Sequence, residues 1–177
     1  ITASTGNHGK AVAYVSKMIK IKGTVYVPEN ISKAKLEALQ FYDIEIKKHN
    51  GASSEVEIYA RKIAEKQGIP FISPYNDIDI IAGQGTIGYE LWQQLPSLDV
   101  VFVCIGGGGM ISGIAGYLKH KNKNIKLIGC EPKNSCAMSA SIKAGKIIDV
   151  EHKPTLSDGS GVGIEPDSIT FDFCKKY

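Results

Sequence analysis

The stretch DVVFVCIGGGGMISG, residues 99–113, indicates the class of fold. Residues 99–105 are almost wholly apolar, as expected of a parallel strand that is buried on both faces. Four consecutive glycines follow, and the residues after them, MISGIAGYLK, have the composition of a helix. A strand, a glycine turn and a helix in this order form a unit that is typical of open α/β sheets.

The same order recurs at the start of the chain. The segment STGNHG, residues 4–9, precedes a stretch with apolar residues at helical spacing. Short runs at 23–28, 44–48 and 125–132 predict further strands, and the alternation of strands with helices predicts parallel pairing. Ser54 and Glu57 have the spacing of a capping box before the helix that separates two of these runs.

Two strand–turn–helix centres predict an α/β fold of two open parallel-sheet lobes that face a shared cleft. Residues 1–75 form the small lobe and residues 76–177 form part of the large lobe. In open α/β sheets, ligands bind at the carboxyl ends of the strands. We therefore expect the functional groups of both lobes in the loops that follow those ends.

Composition excludes several classes of partner. The chain has 177 residues, a formal net charge of +3 and 43% hydrophobic residues, which is ordinary for a soluble globular protein. The densest basic run, KHKNKNIK at 119–126, has no interleaved aromatic residue, so we expect a solvated loop and no nucleic-acid partner. Nothing approaches the ~18 consecutive apolar residues of a membrane span, so no membrane partner is expected.

The cysteines predict a reducing, cytoplasmic setting. The chain has four of them, and none forms a C-x-x-C pair or has a histidine at zinc-like spacing. Cys104 and Cys130 lie inside apolar runs, and we expect them to be buried as small hydrophobic residues.

The glycine run predicts a phosphate site. Without Cβ atoms, the amides of Gly106–Gly109 can converge on an anion, and the following helix adds the positive end of its dipole. The chain has no Walker A motif, and a dinucleotide fingerprint would place Ile111 or Ser112 where its last glycine belongs. Glu131, at the end of the next strand, nevertheless imitates a ribose-binding acid, which leaves a nucleotide-binding module as an alternative.

The segment STGNHG predicts a carboxylate site. Any one of Ser4, Thr5 and Asn7 could merely cap a helix. Together with His8 and two glycines, they form a loop of donors at a helix N-terminus, which suits a carboxylate. A phosphate site and a carboxylate site on two lobes fit an amino acid that is held on a phosphate-bearing cofactor.

Four segments then carry a family resemblance over nearly the whole chain. They are ASTGNHGKAVAY at 3–14, AGQGTIGYEL at 82–91, VVFVCIGGGGMISGIAGYLK at 100–119 and EPKNS at 131–135. In this order they resemble the fold type II pyridoxal-phosphate enzymes, whose architecture is that of the tryptophan synthase β chain. The resemblance is greatest to the threonine/serine dehydratase and serine racemase group, including its hydroxyectoine-utilisation dehydratase-like members.

The resemblance implies roles for particular residues. The cofactor is pyridoxal 5′-phosphate, and Asn7 hydrogen-bonds the 3′-oxygen of its ring. Thr5 stands where racemases of the group have a second catalytic serine, and its extra methyl favours β-elimination over racemisation. The cofactor phosphate is bound by the backbone of Gly106, Gly107, Gly108, Gly109 and Met110. The substrate carboxylate is bound by Ser4, Thr5, Asn7 and His8.

A divalent metal, Mg²⁺ or Mn²⁺, is implied less directly. Glu131 matches a metal ligand of the metal-dependent members, but the second acidic ligand would fall at Ala137. A local hydrogen bond at the strand end is the alternative for Glu131. Asp158, in SDGSGVG, resembles a turn beside the family's active site.

The resemblance also implies that the chain is incomplete, because no lysine here matches the family's Schiff-base lysine, which lies upstream. We predict an ammonia-lyase that eliminates the β-hydroxyl of an amino acid to give a 2-oxo acid and ammonia, in a homodimer. A serine racemase or a β-replacement enzyme of the same fold is an alternative, as is a non-catalytic or nucleotide-binding module.

Overall fold

The structure is a computed structural model that describes residues 1–157 and 159–177. The chain divides into two compact units, Ile1–Pro74 and Tyr75–Tyr177, and each is described by itself. Asp158 lies outside the described residues, so its predicted turn has no structural account here.

The unit Ile1–Pro74 is a parallel three-stranded sheet with three helices. Its strand order is β1-β2-β3, with Thr2 in register with Val25 and Thr24 in register with Glu45. In chain order the elements are β1 (Thr2–Ala3), α1 (Asn7–Met18), β2 (Thr24–Pro28), α2 (Lys33–Gln40), β3 (Glu45–His49) and α3 (Ser53–Gln67).

Strand β2 separates two small cores in this unit. Val25 and Val27 pack with Leu39 of α2, and all three are fully buried. Tyr26 points to the opposite face, where it packs with Val56 and other apolar residues of α3. This alternation is the period of two that a strand imposes on its side chains. Both faces of the sheet are therefore covered at its centre.

The unit Tyr75–Tyr177 is built around two parallel strands. Val100 is in register with Lys126 and Cys104 is in register with Cys130. Val103, Leu118 and Ile125 belong to its main apolar core. In chain order the elements are α4 (Ile78–Gln94), β4 (Val100–Cys104), α5 (Gly109–Lys121), β5 (Lys126–Cys130), α6 (Ala137–Ala144) and α7 (Ile169–Lys176).

The predicted α/β architecture with parallel sheets is confirmed, but the expected burial of β4 is wrong. Val103 is buried, whereas Phe102 is 69% exposed. Cys104 and Cys130 are both exposed, which corrects the expectation of buried cysteines. The reason is that the strand alternates its side chains, and within the described residues the core covers only the face that carries Val101 and Val103.

No helix within the described ranges has both the length and the apolar character that a membrane span requires.

Candidate functional site

The loop after β1 contains the first group of predicted site residues. The Ser4 amide donates to the Tyr26 carbonyl at 3.2 Å, which extends the sheet pairing by one residue. The Ser4 hydroxyl then accepts from the Gly6 amide at 3.2 Å, and helix α1 begins at Asn7. The predicted carboxylate-binding residues are therefore brought together at the carboxyl end of β1.

The start of α1 offers donors to an anion. Within residues 1–157 and 159–177, the amides of Asn7, His8 and Gly9 donate to no other group. Unpaired amides at the positive end of a helix dipole favour a carboxylate or a similar anion. Asn7 is exposed and Thr5 is half-buried, so a ligand can reach both side chains.

The His8 ring is held within its own unit. Its Nε2 lies 2.9 Å from the Thr2 hydroxyl, which itself donates to the Ile72 carbonyl at 2.7 Å. Because the single proton of Thr2 goes to Ile72, the Nε2 atom must carry the hydrogen that it donates to Thr2. Burial lowers the pKa of His8, and the contact with the Ile72 carbonyl opposes this effect. The backbone amide of His8, rather than its ring, is thus the group that can bind an anion.

The loop between β4 and α5 contains the second group of predicted site residues. Ile105 continues the sheet by donating to the Cys130 carbonyl at 2.8 Å, and the first helical bond of α5 runs from Ser112 to Gly108 at 3.1 Å. Between them, the amides of Gly106–Met110 donate to no described residue. A run of amides that donate to no described residue, at the N-terminus of a 13-residue helix, suits a phosphate group.

Two side chains explain why this loop requires glycine. A Cβ on Gly107 would lie 2.3 Å from the ring of Tyr75, and one on Gly108 would lie 3.0 Å from Thr170. Gly108 also has a φ of +89°, a conformation that residues with a Cβ rarely adopt. The loop is therefore packed between Tyr75 and Thr170, and its glycines are required by contacts as well as by backbone conformation.

Glu131 has a structural role in this unit. Its Oε1 accepts from the Met138 amide and its Oε2 from the Ser139 amide, each at 2.8 Å. Both carboxylate oxygens thereby cap the N-terminus of α6, which is the local alternative to metal binding. Among the described residues, no group of three or more metal-ligating side chains is present.

Sequence reasoning missed Tyr75 and Thr170. The Thr170 hydroxyl donates to the Gly107 carbonyl at 2.6 Å, although the two residues are 63 positions apart. No local pattern contains such a contact, because neither residue belongs to the glycine motif. The structure shows that Thr170 is buried, so its hydroxyl needs a hydrogen-bond partner, but the sequence does not indicate which residue that partner is.

Parallel α/β units with free amides at the N-termini of α1 and α5 are the features of an anion-binding α/β protein. The family model described as "Pyridoxal-phosphate dependent enzyme" matches residues 1–177. The chain belongs to this family.

The relatives agree with this assignment. The chain is 38% identical over 177 residues to an L-threonine ammonia-lyase of Thermotoga maritima, covering 100% of the chain and 44% of the relative. It is 36% identical over 176 residues to a catabolic L-threonine dehydratase of Escherichia coli K12, covering 99% of the chain and 53% of the relative. The chain therefore spans about half the length of these curated relatives.

Solved structures of similar fold include two plant enzymes. Maize serine racemase has a TM-score of 0.89 and 33% identity, covering 98% of this chain and 52% of that one. The processed form of threonine deaminase isoform 2 from Solanum lycopersicum has a TM-score of 0.89 and 32% identity, covering 99% and 51%. The predicted fold type II architecture is confirmed by these matches.

The cofactor of the family is pyridoxal phosphate, and the glycine loop fits its phosphate group. The loop supplies backbone donors, the positive end of α5 and a surface without Cβ atoms, which together are what a phosphate requires. Added Cβ atoms at Gly107 and Gly108 would be too close to neighbouring residues, so the loop keeps one backbone path. The residues present therefore fit the group that the family implies.

Proposed function

We propose that the whole protein is a pyridoxal-phosphate-dependent ammonia-lyase of the threonine/serine dehydratase type. It eliminates the β-hydroxyl of a hydroxy amino acid and produces a 2-oxo acid and ammonia. The observation that carries this proposal is 38% identity over the complete chain to a protein named L-threonine ammonia-lyase. The free amides of both helix N-termini support it, since substrate and cofactor are anions.

Each loop has a separate task in this proposal. The amides of Gly106–Met110 bind the cofactor phosphate and fix its position. When bound, the cofactor supplies a ring that accepts electron density as the Cα–H bond of the substrate breaks. Without such an acceptor, removal of this proton at neutral pH would be prohibitively slow.

The loop of β1 orients the substrate. Ser4 and Thr5, with the amides of Asn7 and His8, hold the carboxylate, and the Asn7 side chain donates to the 3′-oxygen of the ring. A carboxylate fixed at several donors limits rotation about the Cα bonds, so that the Cα–H bond is presented in one orientation. In this proposal Thr5 takes the place of the second catalytic serine of the racemases that the chain resembles, and its extra methyl favours elimination.

The test supplies the whole protein with pyridoxal phosphate and either L-threonine or L-serine. We expect ammonia in equal amount to 2-oxobutanoate or pyruvate, measured enzymatically, and no ammonia from L-alanine, which has no β-hydroxyl to eliminate. Failure to release ammonia from either hydroxy amino acid would contradict the proposal.

A serine racemase is the second candidate, favoured by the likeness to maize serine racemase at 33% identity. Chiral chromatography of the same reactions distinguishes the two, because only a racemase produces D-serine from L-serine. A β-replacement enzyme would instead consume L-serine only when a thiol or sulfide is added.

A homodimer and a cytoplasmic location also belong to the proposal. The mass of the whole protein by light scattering tests the first, with twice the chain mass expected. Fractionation of the source cells tests the second, with the protein expected in the cytoplasmic fraction.

A further inference from the structure

The peptide between Gly107 and Gly108 is fixed by a directed chain of hydroxyl groups. Thr170 Oγ1 donates to the Gly107 carbonyl at 2.6 Å, and Ser168 Oγ lies 2.8 Å from Thr170 Oγ1. The one proton of Thr170 is given to Gly107, so Ser168 must donate to Thr170. Thr170 is fully buried and Ser168 is 3% exposed, so water does not compete for these bonds.

The orientation of this peptide determines where one phosphate donor points. In a trans peptide the C=O and N–H bonds point in opposite directions. Because the Gly107 carbonyl is directed to Thr170, the Gly108 amide is directed away from Thr170. A hydrogen bond to the carbonyl also polarises the peptide and makes its amide a better donor.

Tyr75 fixes the other side of the glycine loop, and Tyr75 and Asn76 fix the segment that carries Thr170. The Tyr75 ring fills the space next to Gly107, and its hydroxyl accepts from the Glu165 amide at 2.9 Å. The Asn76 side chain accepts from the Ile169 amide at 3.0 Å. These bonds hold the segment before α7, and with it Thr170, at a defined position.

We infer that Thr170 is a positioning residue that orients the Gly107–Gly108 peptide toward the cofactor phosphate. Ser168 orients the Thr170 hydroxyl. The inference rests on the proposed phosphate-binding role of the glycine loop. It also assigns a function to α7, in which the sequence analysis identified no motif. Thr170 acts through the peptide and has no contact with the reacting atoms.

The experiment uses two probes that differ only in the phosphate. Pyridoxine 5′-phosphate and pyridoxine lack an aldehyde, so neither condenses with the many lysines of this chain. Their affinities for the apo form of the whole protein are measured by titration calorimetry, for the unchanged protein and for Thr170→Val and Thr170→Ser. Valine keeps the shape of threonine but removes the hydroxyl, whereas serine keeps the hydroxyl.

We expect Thr170→Val to weaken binding of pyridoxine 5′-phosphate about 10-fold, equivalent to ~1.4 kcal/mol, because the Gly108 amide is then less well oriented toward the phosphate. Binding of pyridoxine should stay unchanged, and Thr170→Ser should restore most of the loss. The control is Thr86→Val, which removes a hydroxyl bonded to the Gly83 carbonyl at 2.8 Å in the same unit. This control should bind both probes as the unchanged protein does.

Three results overturn the inference. The first is that Thr170→Val binds pyridoxine 5′-phosphate as tightly as the unchanged protein does. The second is that Thr170→Val weakens binding of both probes equally, and the third is that Thr170→Ser does not restore the affinity. If Thr170→Val does not fold, Ser168→Ala decides, because it leaves the Thr170 hydroxyl without its donor. Ser168→Ala should weaken only the phosphate ester, and an unchanged affinity there rejects the inference. If the unchanged protein does not prefer the phosphate ester over pyridoxine, the proposed phosphate site itself fails.

Discussion

The half-buried imidazole of His8 shows how one side chain connects the first strand to the chain segment around Ile72. Its Nε2 contacts both Thr2 and the Ile72 carbonyl, at 2.9 Å and 3.2 Å. The ring must be neutral to fit this arrangement without the cost of a buried charge. A residue whose amide belongs to the proposed carboxylate site therefore makes the stability of that unit sensitive to acid.

We predict that His8 destabilises the folded chain as the pH falls. Burial lowers its pKa from the ordinary 6.5. Below pH 6.5 the unfolded chain takes up a proton that the folded chain does not, so the free energy of unfolding decreases until the pH passes the folded pKa. Urea denaturation at pH 7.5 and pH 5.5 should show a smaller decrease for His8→Gln. An equal decrease in both proteins would contradict this assignment.

Cysteine reactivity provides a second prediction at this scale. Burial raises the pKa of Cys174 to about 11, and its contact with the Ser112 hydroxyl opposes the effect. Cys104 and Cys130 are exposed. Since the thiolate is the reactive form, Cys174 should react with a disulfide reagent at pH 8 on the order of 100-fold more slowly than the exposed pair. Cys174→Ser should leave the fast phase of the reaction intact, and Cys104→Ser should reduce it.

The C-terminus of α1 contains a residue whose type does not suit its backbone conformation. Helix α1 ends in a Schellman motif, with Ile21 donating to Ser16 at 3.0 Å and Lys20 to Lys17 at 3.4 Å. This motif places Lys20 at a φ of +58°, in the left-handed region that favours glycine. The helix is thus closed by a residue with an unfavourable backbone conformation.

We predict that Lys20→Gly stabilises the chain by about 1 kcal/mol, because glycine adopts this conformation without steric cost. The matched control is Lys17→Gly, inside the last turn of α1, which should destabilise the chain by about 1 kcal/mol. The free energy of unfolding in urea measures both. Effects of the same sign would show that glycine acts here through the unfolded state alone.

The cap of α6 gives a further prediction. Glu131→Gln keeps one acceptor and loses the charge, so we expect a loss of about 1–2 kcal/mol in the free energy of unfolding. Glu90→Gln on α4, where the side chain is exposed, is the control and should be neutral. Added Mg²⁺ or Mn²⁺ should leave the melting temperature unchanged. A rise that depends on Glu131 would instead support the metal site that the family resemblance implies.

Patterns within one element were sufficient to predict most strands and helices. Strand β2 begins at Thr24 and strand β4 begins at Val100, each one residue after its predicted start. Patterns were less exact at the ends of helices. The capping box predicted at Ser54 and Glu57 is wrong, since Glu55 accepts from the Ala52 amide at 2.7 Å and α3 begins at Ser53.

For the candidate site, local sequence patterns were sufficient to find the residues but not their contacts. Glycines and hydroxyl residues next to strand ends could be recognised from their own neighbours in the chain. Whether their side chains point to a ligand could not, because the partner of His8 is 64 residues away and that of Gly107 is 63 residues away. The assigned roles of Ser4, Thr5, Asn7 and Glu131 accordingly stay predictions.

At the scale of the whole molecule, each unit has its own apolar core, and the unit Tyr75–Tyr177 also has an exposed apolar surface among its described residues. The outward face of β4 and β5 carries Val100, Phe102 and Ile128, which are 40%, 69% and 39% exposed. A contiguous apolar surface of this kind promotes association between molecules.

We predict that Phe102→Lys reduces self-association of the described chain at high concentration without a large loss of stability. The side chain is mostly exposed, so its removal should cost no more than about 0.5 kcal/mol. Light scattering across a concentration series measures the association, and urea denaturation measures the stability. Unchanged association would show that this surface is not where the molecules meet.

The contact of the Tyr75 ring with Gly107 also couples the substitutions that evolution can accept at these two positions. A side chain at position 107 and an aromatic ring at position 75 need the same space, so a mutation at either position is tolerated only in the right background. Among descendants of a common ancestor, the sizes of these two residues should therefore change in opposite directions. A small residue at position 75 would permit alanine at position 107, and a return to tyrosine at position 75 alone would then be harmful.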